Sequence, residues 1–311
     1  MKRARIYLIF LIIPLSIPNI IPVFACTIFT DSQGDQVLFA GNEDQSPNES
    51  YLLVDTEGSI GVVYFATPWQ ELPLIPQMGM NEQGLCYDSN WIPNEALNSG
   101  TDFTRYEEWP VPHLMRECST VEEVMAKAFD YNWGSSISYQ MHFADAYGDA
   151  AVIHPGSEGE LTYTRKPSGD GYLVSTNFNL EMLKSGDYNC ERYTTANDML
   201  NAEHELTVDF MVSILDATHA EGQVSTIFSA VFDPTQDTIY LYYNHRFDSP
   251  IILSVEEQVA SGARQLTLEE LFEDLPSQGL IPQQMVTLMA LLGIVLIGFF
   301  IYHRQRQILI T

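Results

Sequence analysis

The chain has 311 residues, of which 46% are hydrophobic, and this supply of core residues excludes an intrinsically disordered protein. Its 14 basic and 41 acidic residues give a formal net charge of −27 at pH 7. Five of the basic residues lie in the terminal segments 1–25 and 303–311, which contain no acidic residue. The part between them is therefore strongly negative and would repel phosphate backbones, which excludes nucleic-acid binding.

Residues 1–25 have the pattern of a signal peptide. Three basic residues lie within the first five positions, and an apolar run interrupted by prolines follows up to position 25. Val23 and Ala25 occupy the positions that signal peptidases read, so cleavage is expected between Ala25 and Cys26. The mature protein would then begin with Cys26.

An N-terminal cysteine carries a free α-amine beside its thiol. Because an α-amine has a pKa of about 7.7–8.0, it can act as a general base for the side chain of its own residue near neutral pH. Cys26 is therefore a candidate N-terminal nucleophile. Two alternatives stay open at this point: residues 23–26 form an imperfect lipobox in which Cys26 would carry lipid, or Cys26 is an ordinary or disulfide-bonded cysteine.

Three further cysteines, Cys86, Cys118 and Cys190, belong to the exported part. If Cys26 is the nucleophile, Cys118–Cys190 is the first disulfide to consider, and Cys86 is expected to be buried in a strand. No cysteine–histidine spacing typical of a zinc site is present, so neither a metal nor an organic cofactor is expected. The histidines are isolated in sequence and are expected to be structural or exposed, namely His113, His142, His154, His219 and His245.

The hydrophobic patterns predict strands, then helices, then strands, helices and strands. Strands are expected at 26–31, 36–44, 51–55, 61–66, 85–87, 139–146, 150–154, 161–165, 172–176, 226–232 and 238–243, and helices at about 121–128, 192–202 and 208–219. Runs of strands and runs of helices favour antiparallel sheets covered by helices over a parallel βα fold. The fold class expected is α+β, with two sheets between two helical layers.

The C-terminal part predicts an anchor. Residues 256–284 read as an acidic linker with a helix at about 266–275, after a domain that spans 26–255. Residues 285–302 contain no charge and are long enough to span a bilayer, and Arg304 and Arg306 follow. We therefore expect a membrane-anchored protein with an extracellular domain and a cytoplasmic tail at 303–311.

Several motifs together resemble a known enzyme family. They are Cys26-Thr27, Gly-Asn-Glu-Asp at 41–44, Gly-Met-Asn-Glu-Gln-Gly-Leu at 79–85, Ala-Asp-Ala-Tyr-Gly at 144–148 and Ser-Thr-Asn-Phe at 175–178. Their order and spacing, from residue 26 to about 247, resemble the choloylglycine hydrolase group of N-terminal nucleophile hydrolases. That group includes conjugated bile acid hydrolases and penicillin V acylases, and the later motifs are similar to isopenicillin N acyltransferase-like relatives. The resemblance implies a four-layer αββα sandwich.

The resemblance also implies roles for five residues. Cys26 matches the nucleophile, and Asp44 matches the acid that holds its amine. Asn90 lies where the family has a side-chain donor to the oxyanion, and Asn177 matches the residue that positions the amine and the intermediate. Arg192 matches an arginine that steadies the acidic site.

One position departs from the family pattern. Three residues before the aspartate the family usually has an arginine that helps to stabilise the thiolate, and here that position is Gly41. The guanidinium that would help to stabilise the thiolate and orient Asp44 is therefore missing.

The function implied is a cell-surface amidase. It would hydrolyse linear amide bonds of small N-acyl compounds through a thioester on Cys26, without a cofactor, and the sequence leaves its oligomeric state open. Ile28, Phe29, Tyr87 and Trp91 are candidates for an apolar acyl pocket. An acyltransferase of the same fold and a non-enzymatic surface lipoprotein are the alternatives.

Overall fold

The computed structural model describes residues 26–46, 49–68, 74–98, 109–167, 169–186 and 188–273. The predicted signal peptide, the predicted membrane span at 285–302 and the predicted tail at 303–311 lie outside these residues. The chain divides into two compact units, the first ending at Glu269. Of the second unit only residues 270–273 are described. None of the helices in the described ranges is long and apolar enough to cross a membrane.

Two antiparallel sheets form the first unit. The six-stranded sheet has the order β10-β1-β2-β11-β12-β13, with β1 Thr27–Gln33, β2 Gln36–Gln45, β10 Gly171–Ser175, β11 Ser225–Asp233, β12 Thr238–Tyr243 and β13 Ile251–Ser254. The eight-stranded sheet has the order β14-β3-β4-β5-β6-β7-β8-β9. Its strands are β3 Tyr51–Asp55, β4 Val62–Pro68, β5 Leu74–Asn81, β6 Cys86–Ala96, β7 Ser136–Ala144, β8 Ala150–Pro155, β9 Leu161–Arg165 and β14 Arg264–Thr267.

The described helices are α1 Pro110–Glu117, α2 Val121–Ala128, α3 Glu191–Asn201, α4 Val208–Thr218, α5 Val255–Ala260 and α6 Leu268–Glu273, with a 3-10 helix at Leu180–Lys184. Threonine side chains cap the starts of two helices. The Thr120 side chain accepts the Glu123 N–H at the start of α2, and the Thr207 side chain accepts the Phe210 N–H at the start of α4. Such caps satisfy backbone donors that have no partner within the helix.

Each sheet carries one pair of helices. Leu114 of α1 and Val124 of α2 pack with Tyr87 and Phe143 of the eight-stranded sheet, while Ile214 of α4 packs against the six-stranded sheet. The sheets contact one another through aromatic rings, such as Phe65 of β4 and Phe228 of β11, whose centroids are 5.8 Å apart. The predicted α+β fold with two antiparallel sheets and helices is therefore confirmed.

Four details of the sequence prediction need correction. Helix α1, which starts with prolines, was not predicted, and residues 74–96 form two long strands rather than a turn and a short strand. Residues 264–267, assigned to the linker, form the edge strand β14 and pair with β3. The helix expected at 266–275 begins at Leu268, after that strand.

The predicted Cys118–Cys190 disulfide is wrong, because all four cysteines are free. Cys118 is buried in the core between α1, α2 and the eight-stranded sheet. Cys190 lies at the start of α3, which packs on the six-stranded sheet. The two sulfurs therefore belong to different helical layers of the sandwich. Cys86 is buried in β6, as expected.

Candidate active site

Strand pairing places Cys26 beside the acidic end of β2. Thr27, the first residue of β1, lies opposite Asn42, so Cys26 precedes the paired segment and lies next to Glu43 and Asp44. Cys26 is only 5% exposed, and Glu43 and Asp44 are buried as well. Strand β6 of the facing sheet brings Asn90 to the same place, where its amide Nδ2 donates to the Cys26 carbonyl oxygen at 3.3 Å.

The thiol of Cys26 is held in its neutral form. Its Sγ donates to Glu43 Oε2 at 3.7 Å. Burial raises the pKa of the thiol well above its ordinary value, and the nearby carboxyls of Glu43, Asp44 and Asp88 raise it further, while the backbone N–H of Asp44 opposes them. A nucleophile in this environment needs a base close at hand, because the thiolate is the reactive form.

Arg192 joins the remaining predicted residues into one network. Its Nη1 donates to Asp44 Oδ2 at 3.3 Å and to Thr27 Oγ1 at 3.2 Å, and its Nη2 donates to Asn177 Oδ1 at 3.1 Å. Helix α3 supplies the arginine at its second residue, and Asn177 lies two residues after the end of β10. One planar guanidinium thus fixes three groups that come from different parts of the chain.

Asp44 is fully buried, and its charge is only partly compensated. Burial raises the pKa of its carboxyl to about 7, against the opposing effects of the Thr226 hydrogen bond, Arg192 and His219. The Thr226 hydroxyl donates to Asp44 Oδ1, and Arg192 donates to the other oxygen. Both oxygens therefore have partners, which keeps the carboxyl in one orientation at the end of β2.

The amide side chains of Asn90 and Asn177 differ in how many of their hydrogen-bonding atoms have partners. Asn177 Nδ2 donates to the Trp91 carbonyl oxygen at 3.0 Å, and its oxygen accepts from Arg192. Asn90 donates to the Cys26 carbonyl, while its Oδ1 is buried and has no hydrogen-bond partner among the described residues. Asn90 therefore contacts Cys26 directly, whereas Asn177 is joined to the site through Arg192.

The structure brings all five predicted residues together: Cys26, Asp44, Asn90, Asn177 and Arg192. Three residues that the sequence did not single out, Glu43, Asp88 and Thr226, also touch this group. For Glu43 the one available signal was its position directly before Asp44. Asp88 and Thr226 come from other strands, and nothing in the sequence marks them.

Glu43 and Asp88 form a buried carboxyl pair at the position of the family departure. Burial raises the pKa of Asp88 well above its ordinary value and the neighbouring Glu43 carboxyl raises it further, and Asp88 Oδ1 accepts the Ser89 N–H at 2.6 Å. A Cβ placed on Gly41 would lie 2.1 Å from Asp88 Oδ2, so a larger residue at 41 and Asp88 in this position exclude each other. Gly41 therefore makes room for an acid where the family usually has a base.

Other residues of the quoted motifs have structural roles. Asn42 Nδ2 donates to the Leu215 carbonyl at 2.9 Å and ties β2 to α4. Asn81 donates to the Met115 and Cys118 carbonyls, which fastens the end of α1 to the β5–β6 turn. Asp145 accepts the Val121 N–H at the start of α2.

The predicted acyl pocket is wrong for two of its four residues. Phe29 packs under α3 and α4, and Tyr87 packs under α1 and α2, so each belongs to a helix-facing core. The structure has a cleft of about 350 Å³, and part of its wall is Phe178, the residue that follows Asn177 in the chain. Its lining includes Phe178, Met182 and Tyr188 together with Pro93, Glu95, Asn179, Gly186 and Asn189.

Two histidines that are isolated in sequence come together in the fold. The ring centroids of His219 and His245 are 4.6 Å apart, and His219 Nε2 is 3.3 Å from Glu221 Oε1. One ligand atom from each of these three residues lies within 4.8 Å of the others, a spacing that could hold a metal ion. Glu221 is largely exposed, and the cluster lies outside the contacts of Cys26.

The chain matches the family model of acyl-coenzyme A:6-aminopenicillanic acid acyl-transferase over residues 31–247, more than half of its length. It belongs to this family. The match covers most strands of both sheets and α1–α4, but it begins after Cys26 and ends before β13 and β14. By sequence alone, no curated protein matches the chain.

Solved structures with the same fold include two members of the group that the motifs resemble. A single-residue variant of conjugated bile acid hydrolase from Clostridium perfringens has a TM-score of 0.58 at 14% identity, covering 78% of this chain and 96% of that one. Penicillin V acylase from Agrobacterium tumefaciens has a TM-score of 0.53 at 14% identity, with coverage of 73% and 84%. Together with the acyl-transferase family match, these similarities confirm the N-terminal nucleophile hydrolase family suggested by the motifs.

Proposed function

We propose that this protein is an amidase that hydrolyses linear amide bonds of small N-acyl compounds, with Cys26 as its N-terminal nucleophile. The observation that carries the proposal is the convergence of Asp44, Asn90, Asn177 and Arg192 on the start of β1, where Cys26 lies. The similar folds of a conjugated bile acid hydrolase and a penicillin V acylase, whose names describe amide-cleaving enzymes, support the same reaction class.

In the proposed reaction, the Cys26 sulfur attacks the amide carbonyl carbon and forms a thioester. The α-amine freed by cleavage after Ala25 would take up and return protons during the two half-reactions. Asn90, whose amide already donates to an oxygen beside Cys26, would face the developing oxyanion. Arg192 and Asp44 would hold the α-amine side of the site, and water would release the acyl group.

The cleft beside Asn177 suggests where the acyl group would bind. Its volume of about 350 Å³ falls in the range of small-molecule sites, and Phe178, Met182 and Tyr188 give it an apolar wall. The Phe178 and Tyr188 rings stack with centroids 4.9 Å apart, which offers a flat apolar surface. We propose a medium-sized apolar or aromatic acyl group as the substrate part bound there.

We further propose that the catalytic domain acts outside the cell. A leader over 1–25 and an uncharged span over 285–302 followed by arginines support export and anchoring. The burial of Cys26 beside Glu43 favours the nucleophile over a lipidated cysteine, since a lipid chain on that sulfur would have to leave the sandwich.

Acyl transfer is the second candidate, because the family model that matches is that of an acyltransferase. Transfer from coenzyme A would need a basic surface for its phosphates, and the domain is strongly acidic. Adding a primary amine at a concentration far below that of water separates the two, because a transferase binds its acceptor and would still divert most of the acyl group to it.

The test is a screen of N-acyl amides with the wild-type protein and two cysteine variants. Cys26→Ser should lower amine release by orders of magnitude, because a hydroxyl is much harder to deprotonate than a thiol. The control Cys190→Ser should keep activity and folding. Equal activity in Cys26→Ser, or a lipid found on Cys26 by intact mass, would end the proposal.

A second variant tests the N-terminal amine itself. One extra residue that stays attached before Cys26 converts the α-amine into an amide nitrogen, which cannot carry protons. We expect the extended protein to fold and to lose most amide hydrolysis. Undiminished activity would contradict the role of the amine.

A further inference from the structure

Strand pairing brings three possible metal ligands to one end of the β11–β12 hairpin. The two strands are antiparallel, with Phe228 opposite Tyr243, so the residues before β11 and the residues after β12 meet at the same end. His219 and Glu221 precede β11, and His245 lies in the turn after β12. One nitrogen or oxygen atom from each of these three side chains lies within 4.8 Å of the others.

The contacts of His219 leave one ring nitrogen as an electron-pair donor. Its Nδ1 contacts the Asp216 carbonyl oxygen, which can only accept, so Nδ1 carries the proton. In the neutral ring Nε2 is then an acceptor, yet it lies 3.3 Å from Oε1 of Glu221, which is an acceptor as well. Two facing acceptors repel one another unless a cation lies between them. A ring N–H bonded to a backbone carbonyl is also the usual arrangement of a metal-binding histidine.

His245 adds a buried nitrogen without a partner. Its Nε2 is buried and has no hydrogen-bond partner among the described residues, and its ring centroid lies 4.6 Å from that of His219. The Asn244 N–H donates to the Ile227 carbonyl oxygen at 2.9 Å, which fastens the turn to β11 and keeps the two rings together. An unpaired buried polar atom costs free energy, and a bound ion would recover it.

The three side chains form a donor set that favours Zn²⁺. Two imidazoles and one carboxylate suit zinc, whereas Ca²⁺ and Mg²⁺ prefer sites made of oxygen atoms. Neighbouring ligand atoms in a tetrahedral zinc site are about 3.3 Å apart, as follows from its bond lengths. His219 Nε2 and Glu221 Oε1 already have this separation, at 3.3 Å. Glu221 is largely exposed, so an ion can reach the site from solvent, and the acidic domain attracts cations.

We propose that His219, Glu221 and His245 form a Zn²⁺ site that joins the loop before β11 to the turn after β12. Three protein ligands leave the fourth position of the ion to water. No contact of the described residues joins these ligands to Cys26, so the ion would stabilise the fold and take no part in bond breaking. The inference is independent of the proposed amidase function.

The loop that the ion would fix also holds Asp44. Ala220 follows His219 directly, and its N–H donates to the Thr226 hydroxyl oxygen at 2.8 Å. The Thr226 N–H donates back to the Ala220 carbonyl oxygen at 2.9 Å, and the Thr226 hydroxyl donates to Asp44 Oδ1. An ion bound on either side of Ala220 would therefore fix the segment that orients the Asp44 carboxyl.

The test measures zinc binding to the full-length protein as isolated after export, purified without a histidine tag and treated with a chelator. Calorimetric titration with ZnCl₂ gives the stoichiometry and Kd, and melting temperatures with and without Zn²⁺ give the stabilisation. His245→Gln and Glu221→Gln each remove one ligand. The matched control is His113→Gln, because His113 Nε2 lies 3.4 Å from Glu117 Oε1 in a similar pair that belongs to no three-ligand cluster of the described ranges.

We expect one Zn²⁺ per chain and a melting temperature about 5–10 °C higher at about 100 times Kd. Each ligand variant should bind Zn²⁺ at least about tenfold more weakly and lose most of this rise, whereas His113→Gln should behave like the wild type. Because Glu221 is exposed, Glu221→Gln decides the matter if His245→Gln does not fold. Equal binding by the wild type and Glu221→Gln would reveal an adventitious ion only and overturn the site, as would a wild type that binds no Zn²⁺.

Hydrogen exchange tests the effect of the ion on the loop. Zn²⁺ should slow exchange in peptides that cover residues 219–226 and 243–247, because local opening must then release the ion. The same addition should leave these peptides of Glu221→Gln unchanged. Equal exchange of the wild-type loop with and without saturating Zn²⁺ would contradict the proposed joining of the two segments. Neither readout requires amide hydrolysis, so failure of the zinc site and failure of the proposed function are distinguishable.

Discussion

Arg192 donates to the buried carboxylate of Asp44 at 3.3 Å across a sequence separation of 148 residues. The contact joins helix α3 to the end of β2, and the same guanidinium also holds Asn177 and Thr27. The orientation of Asp44 therefore depends on the docking of α3 on the six-stranded sheet. In the proposed mechanism, catalysis and folding are therefore coupled at this arginine.

Arg192→Lys should separate charge from geometry. A lysine ammonium keeps the positive charge but cannot reach Asp44, Thr27 and Asn177 together, so we expect kcat to fall and the free energy of unfolding to drop by about 1–3 kcal/mol. Urea denaturation and steady-state kinetics measure the two effects. Arg246→Lys, at an arginine without an ion pair in the described part of the chain, is the control. Equal kcat in both variants would contradict the role of the guanidinium.

The buried acids predict that stability decreases as pH rises. In the unfolded chain, Glu43 and Asp44 lose their protons near pH 4, whereas in the fold they keep them up to about pH 8 and about pH 7. Between these values the folded state binds more protons, so raising the pH favours unfolding. Urea denaturation should therefore show lower stability at pH 8.5 than at pH 5.

Glu43→Gln is the variant that checks this assignment. It removes one of the buried carboxyls whose pKa is raised, so the loss of stability between pH 5 and pH 8.5 should become smaller. Glu203→Gln, at an exposed acid away from the site, should leave the slope as in the wild type. A wild-type protein that is more stable at pH 8.5 than at pH 5 would show that these carboxyls ionise normally.

Asn90→Ala tests the proposed oxyanion donor. The loss of one such donor usually lowers kcat by about 10²–10³. Because the Asn90 amide donates to the Cys26 carbonyl, some loss of stability is expected as well, so the melting temperature must be measured alongside. If kcat changes by less than threefold in a folded variant, the oxyanion donor is another group.

Gly41→Ala tests the space that glycine leaves for Asp88. The added Cβ would meet Asp88 Oδ2 at 2.1 Å and the Met78 methyl at 3.1 Å, so we expect a loss of about 1–3 kcal/mol in unfolding free energy. Combining it with Asp88→Ser, which shortens the opposing side chain, should recover part of that loss. If the changes in unfolding free energy of the two single variants add up to that of the double variant, the clash is excluded.

External protease on intact cells tests the proposed topology. If residues 285–302 span the membrane with the domain outside, digestion should release a soluble fragment that begins at Cys26 and keeps its amidase activity. Immunoblots against the two ends of the chain, with a cytoplasmic protein as the integrity control, provide the measurement. A domain protected from protease in intact cells would contradict export.

Most of the strands and three of the helices could be predicted from the sequence because their apolar spacing is local information, whereas β5, β13 and β14 were not predicted. Helix α1 was not predicted because Pro110 and Pro112 read as loop residues, although proline is compatible with the first turn of a helix. Residues 264–267 carry no marked pattern, and they become a strand only because β3 offers an edge. Tertiary pairing, not propensity, decides such segments.

The candidate site shows the same limit. Cys26, Asp44 and Asn177 lie in motifs that a resemblance can find. Asp88 joins the site only because the packing of the two sheets brings it close to Glu43. A Cys118–Cys190 disulfide could be predicted because the sequence does not reveal that the helices beside these residues cover different sheets.

The close approach between position 41 and Asp88 has an evolutionary consequence. An arginine at Gly41 is incompatible with the present position of Asp88, because the Asp88 carboxyl occupies the place of its first side-chain carbon. Across homologous sequences the two positions should therefore covary, with glycine at 41 accompanying an acid at 88 and a long basic residue at 41 accompanying a small one. A lineage that passes between the two states would need an intermediate with small residues at both positions, and such sequences would mark the branch where the active-site chemistry changed.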